Sequence, residues 1–436
     1  MKYLKNIPDE YKSIIDKITG IAIDNGYVIY AVGGFVRDMV LNRIPKDLDI
    51  MVEGDNGGIK FAVLLSQKLN IHPPVIFEKF ATAKLIIDNQ EIEFIMPRQE
   101  YYDKNSRNPR TEIGTLEQDV LRRDFTVNAL FLRLNDMALL DLTGRGFNDI
   151  RDKVIRVTDE TASDLIFEQD PLRILRAVRQ SFQLGFKIEK NTYLSMSKKA
   201  DRITIISPER IRDEINKILV FEKPSEAFSM LDDIKLLGII FPELKEMQKI
   251  KLNGNAFDYA MNLIDKIHPD LALRMTALFY YSDCCGQTSG VILRNVLSRL
   301  KYSADFIKKS VSLLEGCSSA KQYEEKWTDA EIRKFEKQTY INLKDIETFV
   351  NVDSGQEKKS LFERIKVLEK NNMLVPKKEL LDGNEMSDIF GYPSGKWIGK
   401  AKKYIESLQF ENPLISKEKA IEELKLYIEK SKDILL

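Results

Sequence analysis

Two aspartates one residue apart, Asp47 and Asp49, sit in the run Lys46-Asp47-Leu48-Asp49-Ile50. On a β-strand alternate side chains share a face, so both carboxylates point one way and Leu48 the other. Side by side they repel unless a cation lies between them. Hard oxygen donors on one face suit Mg²⁺. Two such ions could activate a 3′-hydroxyl and stabilise a leaving pyrophosphate. Upstream, Ala31-Val32-Gly33-Gly34-Phe35-Val36-Arg37-Asp38 reads as a strand, a Gly-Gly turn and a helix start. The glycines let the backbone approach a ligand closely, and the exposed N–H groups make an anion site. Arg37 adds a forked cation for phosphate. Either piece alone fits a plain turn or a solvated strand face; together they point to a metal-assisted phosphate site. A third carboxylate comes from Glu91-Ile92-Glu93-Phe94. Glu93 is preferred, because Phe94-Ile95-Met96 would continue a central strand. Asp47, Asp49 and Glu93 all stay open as the group that deprotonates the hydroxyl.

Two further clusters carry charge. Arg122-Arg123-Asp124-Phe125-Thr126-Val127-Asn128-Ala129 reads as the cap and first turns of a helix, with Asp124 as cap and Asn128 one turn on. Its two arginines could reach a triphosphate or a sugar hydroxyl; alone it is also a common surface pattern. In Asp170-Pro171-Leu172-Arg173-Ile174-Leu175-Arg176-Ala177-Val178-Arg179, Pro171 suits a first helical position and Asp170 its cap. Leu172, Leu175, Val178 and Phe182 form an apolar stripe. Asp170, Arg173 and Arg176 form another face, with Arg179 at its border.

The elements that must position these groups change character along the chain. Residues 1–25 read as a helix with Tyr11, Ile14, Ile15, Ile18 and Ile21 on one side. Tyr27–Val32, Leu48–Val52, Phe80–Ile87, Glu91–Ile95 and Leu139–Leu142 read as strands, the third and fourth joined at Asp88-Asn89-Gln90. Residues 97–115 are polar without periodicity and read as a long loop. Beyond about 150 one helix follows another, including 164–185, 208–220 and 396–408, with junctions near 150, near 222 and around 317–326. The expected class is α+β: a small mixed α/β head and a long all-helical remainder.

Composition bounds the partners. The chain has 436 residues, enough for two to four domains, and 43% of them are apolar. Lys+Arg and Asp+Glu both number 67, so a nucleic-acid partner would need a local basic face. Cys284, Cys285 and Cys317 fit no disulfide framework and no zinc ribbon, and are expected to be free thiols with no structural zinc. The amphipathic N-terminus is unlike a signal peptide. No apolar run reaches membrane-spanning length. The expectation is a cytoplasmic protein without membrane contact.

The three N-terminal motifs, in this order, resemble class II tRNA nucleotidyltransferases and bacterial poly(A) polymerases of the polymerase-β superfamily, over roughly residues 20–220. The resemblance implies a polymerase-β-like nucleotidyltransferase head at 1–150, a neck for base recognition at 151–222, a body at 223–325 and a tRNA-binding tail at 326–436. Asp47 and Asp49 would bind Mg²⁺. Gly34, Arg37 and Arg123 would hold the incoming nucleotide, with Gly33, Asp124 and Asn128 in the same set. Asp170 and Arg173 would hydrogen-bond the base edge of CTP or ATP; Arg176 and Arg179 would face phosphates or the hinge. Gln169 departs from the family pattern, which has Glu there. Ser207-Pro208-Glu209-Arg210-Ile211 with Glu214 resembles a later, structural helix of the family. The 97–115 segment, with Ser106-Arg107-Asn108-Pro109, is similar to the family's flexible loop. With only His72 and His268, the chain cannot build the histidine-rich phosphohydrolase site of many relatives. The segment Gly391-Tyr392-Pro393-Ser394-Gly395-Lys396-Trp397 resembles the family's tRNA-contacting tail, where Lys396, Lys400, Lys402 and Lys403 could meet phosphates. The implied activity is addition of C, C and A to a tRNA 3′ end. The alternatives are a partial adder of A only or CC only, a poly(A) polymerase, for which the mixed-charge last helix is unfavourable, and a catalytically silent RNA-binding protein, which the intact Asp47/Asp49 pair opposes.

Overall fold

Leu48, Ile50, Met51 and Val52 are buried and Asp49 reaches part-way to solvent, so the Asp-x-Asp strand lies inside a sheet and not at its edge. The computed structural model describes residues 5, 7–101, 110–252, 254–283, 286–354, 358–376 and 379–430. Two compact units divide the chain, residues 1–221 with 226–242 and residues 222–225 with 243–436.

The first unit opens with α1 (Asp9–Asp24), β1 (Ile29–Val32), α2 (Gly34–Val40), β2 (Leu48–Val52), α3 (Gly57–Leu69), β3 (Val75–Phe77), β4 (Thr82–Ile87) and β5 (Gln90–Ile95). It continues through β6 (Arg98–Tyr101), β7 (Arg110–Ile113), α4 (Leu116–Arg122), β8 (Leu130–Arg133), β9 (Ala138–Asp141) and α5 (Gly146–Asp152). Seven strands form one sheet in the order β3-β4-β5-β2-β1-β8-β9. Only β2 and β5 run parallel; every other neighbouring pair is antiparallel. Helix α1 buries Tyr11, Ile14, Ile15, Ile18 and Ala22, and Ile21 is half-buried at the edge of that face. Helix α3 starts where a Cβ on Gly58 would lie 2.8 Å from the Phe94 carbonyl, so glycine lets the helix settle onto the sheet.

Further along come β10 (Val154–Ile155), α6 (Ser163–Gln169), α7 (Leu172–Leu184), β11 (Lys187–Ile188), α8 (Lys190–Lys198), α9 (Pro208–Leu219), α10 (Pro224–Asp233) and α11 (Leu237–Ile240). Helix α7 is buried nearly all round, with Arg176 and Arg179 among its few partly exposed positions.

Four readings of the sequence are corrected. Helix α1 begins at Asp9 and not at the first residue. The polar stretch 97–115 holds the antiparallel hairpin β6–β7; Ser106, Arg107, Asn108 and Pro109 lie outside the described residues. The expected helix at Asp124 is a single 3₁₀ turn, Thr126–Asn128, that runs straight into β8. Leu130, Phe131 and Leu132 are fully buried between β1 and β9, and that continuous apolar run makes a strand. The helix expected over 164–185 breaks at Asp170-Pro171, because proline restricts the residue before it and lacks an N–H.

The second unit is helical: α12 (Pro242–Met247), α13 (Ala256–Lys266), α14 (Leu271–Phe279), α15 (Ser289–Arg299), α16 (Ala304–Lys321), α17 (Asp329–Thr339), α18 (Leu343–Asp353), α19 (Lys359–Lys370), α20 (Gly383–Phe390), α21 (Lys396–Glu411) and α22 (Lys417–Lys430), with two short antiparallel strands at Lys251–Leu252 and Gly254–Asn255. Leu381, Met386, Trp397, Ala401, Ile405, Leu424 and Ile428 form the core of its last three helices. His268 lies in the link between α13 and α14. Cys317 is a buried free thiol; Cys284 and Cys285 lie outside the described residues. Among the described residues no helix is long and apolar enough to cross a membrane.

Candidate active site

Strand register builds the acidic part of the site. Val32 at the end of β1 lies beside Asp49 on β2, and Asp49 lies beside Glu93 on β5. Asp47 precedes β2 and is exposed. The Tyr11 hydroxyl donates to the Lys46 carbonyl and steadies that approach. Burial first, then the neighbouring charges of Glu93 and Asp47, push the Asp49 carboxyl up to about 6, against the pull of Arg123 and Lys84. A bound cation would relieve that repulsion. Of the two candidate glutamates, Glu93 is the neighbour of Asp49, whereas Glu91 is exposed and paired to Lys84 at 2.6 Å. Lys84 also faces Glu93 across β4–β5. Among the described residues no three acidic, histidine or cysteine side chains group to cage a metal. The Asp47/Asp49 pair still fits Mg²⁺, which takes one or two carboxylates and fills its shell with water and phosphate.

The Gly-Gly turn stands beside this pair. Gly33 has φ +70°, and a Cβ there would come 3.8 Å from Arg123 Nη1. Arg37 is locked in place: Nε and Nη2 donate to Asp38 at 2.8 and 3.0 Å, and Nη1 donates to Asn128 Oδ1 at 2.8 Å.

The arginine pair depends on a residue that the sequence reading missed. Asp119, fully buried on α4, accepts from Arg122 Nε at 2.7 Å and Arg123 Nε at 2.9 Å. Its spacing three and four residues before the pair was the available signal. A Thr115/Gln118 capping box starts α4. The Arg123 guanidinium lies 4.9 Å from the Phe131 ring centroid.

Asp124 is the counter-ion of Arg176 on α7 and caps no helix. One oxygen accepts from the Phe125 N–H at 2.9 Å and Asn128 Nδ2 at 2.8 Å; the other accepts from Arg176 at 2.6 and 3.0 Å and from Gln180 at 3.3 Å. Burial alone would raise its pKa. The Arg176 charge, with hydrogen bonds from Asn128 and Arg176, outweighs burial and brings it down to about 2. Arg179 donates to buried Glu214 at 2.5 Å. Arg173 donates to the Arg122 carbonyl at 2.6 Å and stands 3.9 Å from Asp170, which Arg210 also approaches at 3.5 Å.

These groups line one open cleft of about 920 Å³. It brings together Gly33, Gly34, Arg37, Asp47, Asp49, Arg123, Asp124, Asn128, Asp170, Arg173, Arg176 and Arg179. Glu93 is not in the lining. Phe80, Arg98, Arg122, Gln180 and Arg210 are; of these only Arg122 was read from sequence as a phosphate or sugar contact, and Arg210 as part of a structural helix. Eight arginines and four aspartates line it, and Asp38, Asp119 and Glu214 behind the lining pair with Arg37, Arg122, Arg123 and Arg179. In the second unit, Lys396, Lys400 and Lys403 are exposed along one stripe of α21, at helical spacing. Lys402 lies off that stripe, paired to Glu379 at 2.6 Å.

This architecture is that of the nucleotidyltransferases. Residues 29–156 match the family described as "Poly A polymerase head domain", residues 185–248 the "Probable RNA and SrmB- binding site of polymerase A", and residues 276–424 a tRNA nucleotidyltransferase domain 2. The chain belongs to the family of tRNA nucleotidyltransferases and poly(A) polymerases. It is 24% identical over 430 residues to the CCA-adding enzyme of Lactococcus lactis subsp. lactis, covering 96% of this chain and 98% of that one. It is 34% identical over 222 residues to an A-adding tRNA nucleotidyltransferase of Geobacter sulfurreducens, covering 50% of this chain and 24% of that one, so it spans about a quarter of that relative's length. The fold matches the Bacillus stearothermophilus CCA-adding enzyme in complex with CTP at a TM-score of 0.71 and 21% identity, over 98% of this chain and 99% of that one.

Proposed function

We propose that this chain is a CCA-adding tRNA nucleotidyltransferase, which transfers nucleotidyl groups from CTP and ATP to a tRNA 3′-hydroxyl and releases pyrophosphate. One observation carries the reading: the likeness to a CCA-adding enzyme runs over nearly the whole of both chains, whereas the likeness to the A-adding relative stops at half of this one. Asp47 and Asp49 would hold Mg²⁺, which would lower the pKa of the attacking hydroxyl and balance charge on the departing pyrophosphate. The Gly33-Gly34 turn, Arg37 and Arg123 cradle the triphosphate. Asp170 accepts from the exocyclic amine and Arg173 donates to the ring nitrogen beside it. Cytosine and adenine both present that amine next to an acceptor, so one Asp–Arg pair serves both. Residues 151–222 then act as the base-reading neck and residues 326–436 as the tRNA-binding tail.

The test is incorporation of labelled CTP and ATP, separately and together, onto tRNA transcripts ending before CCA, after C and after CC. Completion of CCA followed by arrest upholds the reading. Addition of A alone or of two C alone makes the protein a partial adder, long A tails make it a poly(A) polymerase, and binding without incorporation makes it a silent RNA-binding protein.

The stripe on α21 gives a second expectation. Replacing Lys396, Lys400 and Lys403 together with Gln weakens tRNA binding and flattens the dependence of log K on log salt by about 2. The KM for CTP on a short acceptor stays the same. A salt slope equal to wild type removes these lysines from the interface.

A further inference from the structure

Nucleotidyl transfer brings two substrates to Asp47 and Asp49, and the nucleotide accounts for one of them. On the neck side the cleft is polar throughout, with Asp170, Arg173 and Arg176 suited to base edges and charge. An RNA 3′ end also presents the flat face of an unpaired base, which stacks on an aromatic ring or on a guanidinium plane. Among the described lining residues Phe80 offers the one ring, while Arg122, Arg123, Arg176 and Arg179 are held in ion pairs.

Phe80 is 55% exposed. It closes a single 3₁₀ turn, Glu78–Phe80, between β3 and β4. The next residue, Ala81, has φ +50° and ψ +42°, a left-handed conformation that alanine seldom adopts. The Ala81 N–H donates to the Glu78 carbonyl at 3.0 Å, and the Thr82 hydroxyl donates to the Phe80 carbonyl at 3.1 Å. The turn is therefore fixed from both sides, and its strain is not offset by burying the ring. Strained backbone that leaves a large aromatic in a cleft is characteristic of a functional site.

We propose that Phe80 is the stacking platform for the terminal base of the acceptor RNA. The inference rests on the nucleotide-adding reading above and specifies its second substrate subsite. Stacking suits that subsite for a chemical reason. The terminal base changes after each addition, so it must be held by a contact that does not read base edges, and every base has a π-face.

The experiment uses the full chain with tRNA transcripts lacking CCA, some of them carrying 2-aminopurine at the 3′ terminus, whose emission falls on stacking. Phe80→Leu keeps an apolar side chain but removes the ring; Phe80→Trp keeps a ring. The expected results for Phe80→Leu are a rise in the KM for tRNA of about 10- to 100-fold, a KM for CTP within about two-fold of wild type, and loss of 2-aminopurine quenching. Phe80→Trp restores both the KM for tRNA and the quenching. A KM for tRNA that stays at wild type in Phe80→Leu, a KM for CTP that rises as much, or quenching that persists without the ring overturns the proposal. Binding and quenching need no catalysis. Quenching that is lost in Phe80→Leu while wild type incorporates nothing upholds the platform and removes the CCA-adding reading; absence of quenching in wild type removes the platform alone.

Discussion

Asp49→Asn is expected to slow nucleotide incorporation at least about a thousand-fold, because the loss of metal-held charge stabilisation is worth several kcal/mol, and each factor of ten in rate is about 1.4 kcal/mol. Asn keeps the size and shape of the side chain, so the loss is one of charge. The same change leaves the metal-free fold intact or stabilises it. The Asp49 pKa, about 6, lies above the value that the unfolded chain would give. Its ionised form therefore weakens the fold at neutral pH, and Asn relieves the repulsion from Glu93 and Asp47. Single-turnover incorporation and thermal melting in EDTA measure the two effects. A rate within ten-fold of wild type would take Asp49 out of the chemistry.

Asp124→Ala is expected to destabilise the first unit by about 3 kcal/mol, the lower end of the cost of breaking a buried ion pair, since Arg176 is partly exposed and can regain water. Asn128 and Gln180 lose a partner as well. Hydrogen exchange of β8 and α7 amides under urea reads this unit. Both tryptophans, Trp327 and Trp397, belong to the second unit, so their emission serves as an internal control. The pH dependence has a definite sign. The folded-state pKa of Asp124, about 2, lies below its unfolded value, so its contribution is full above about pH 4 and is lost as pH falls towards 2. Asp124→Asn flattens that acid limb. Equal acid sensitivity in Asp124→Asn and wild type would assign the acid loss to other carboxylates.

What could be read from the chain was what depends on near neighbours. Alternation placed Leu48–Val52 as a strand with Asp49 and Leu48 on opposite faces, and the structure keeps those bounds. The triplet Asp88-Asn89-Gln90 marked the turn between β4 and β5, where Asp88 and Asn89 take positive φ. Asp124 was misread because its decisive partners, Arg176 and Gln180, lie more than fifty residues away on α7, and a local reading offers an aspartate before a polar turn only the role of cap. The β6–β7 hairpin was missed because its residues lack apolar alternation. Strand β3 is exposed along all three residues and carries no buried face to signal its period. Phe80 was counted as the first residue of a strand, and only the turn at Ala81 turns its ring out. The preference for Glu93 rested on the apolar run Phe94-Ile95-Met96 after it; that Glu93 lies beside Asp49 is a matter of register between strands separated by α3, β3 and β4.

Four arginines of the cleft sit against acidic partners: Arg122 and Arg123 share Asp119, Arg176 has Asp124, and Arg179 has Glu214. A change at one member of such a pair strands a buried charge, whereas a matched change at both need not. These positions are thus expected to change as couples. If they were randomised and selected for activity, survivors would return with partners altered together, and the cleft would drift by exchange of whole pairs.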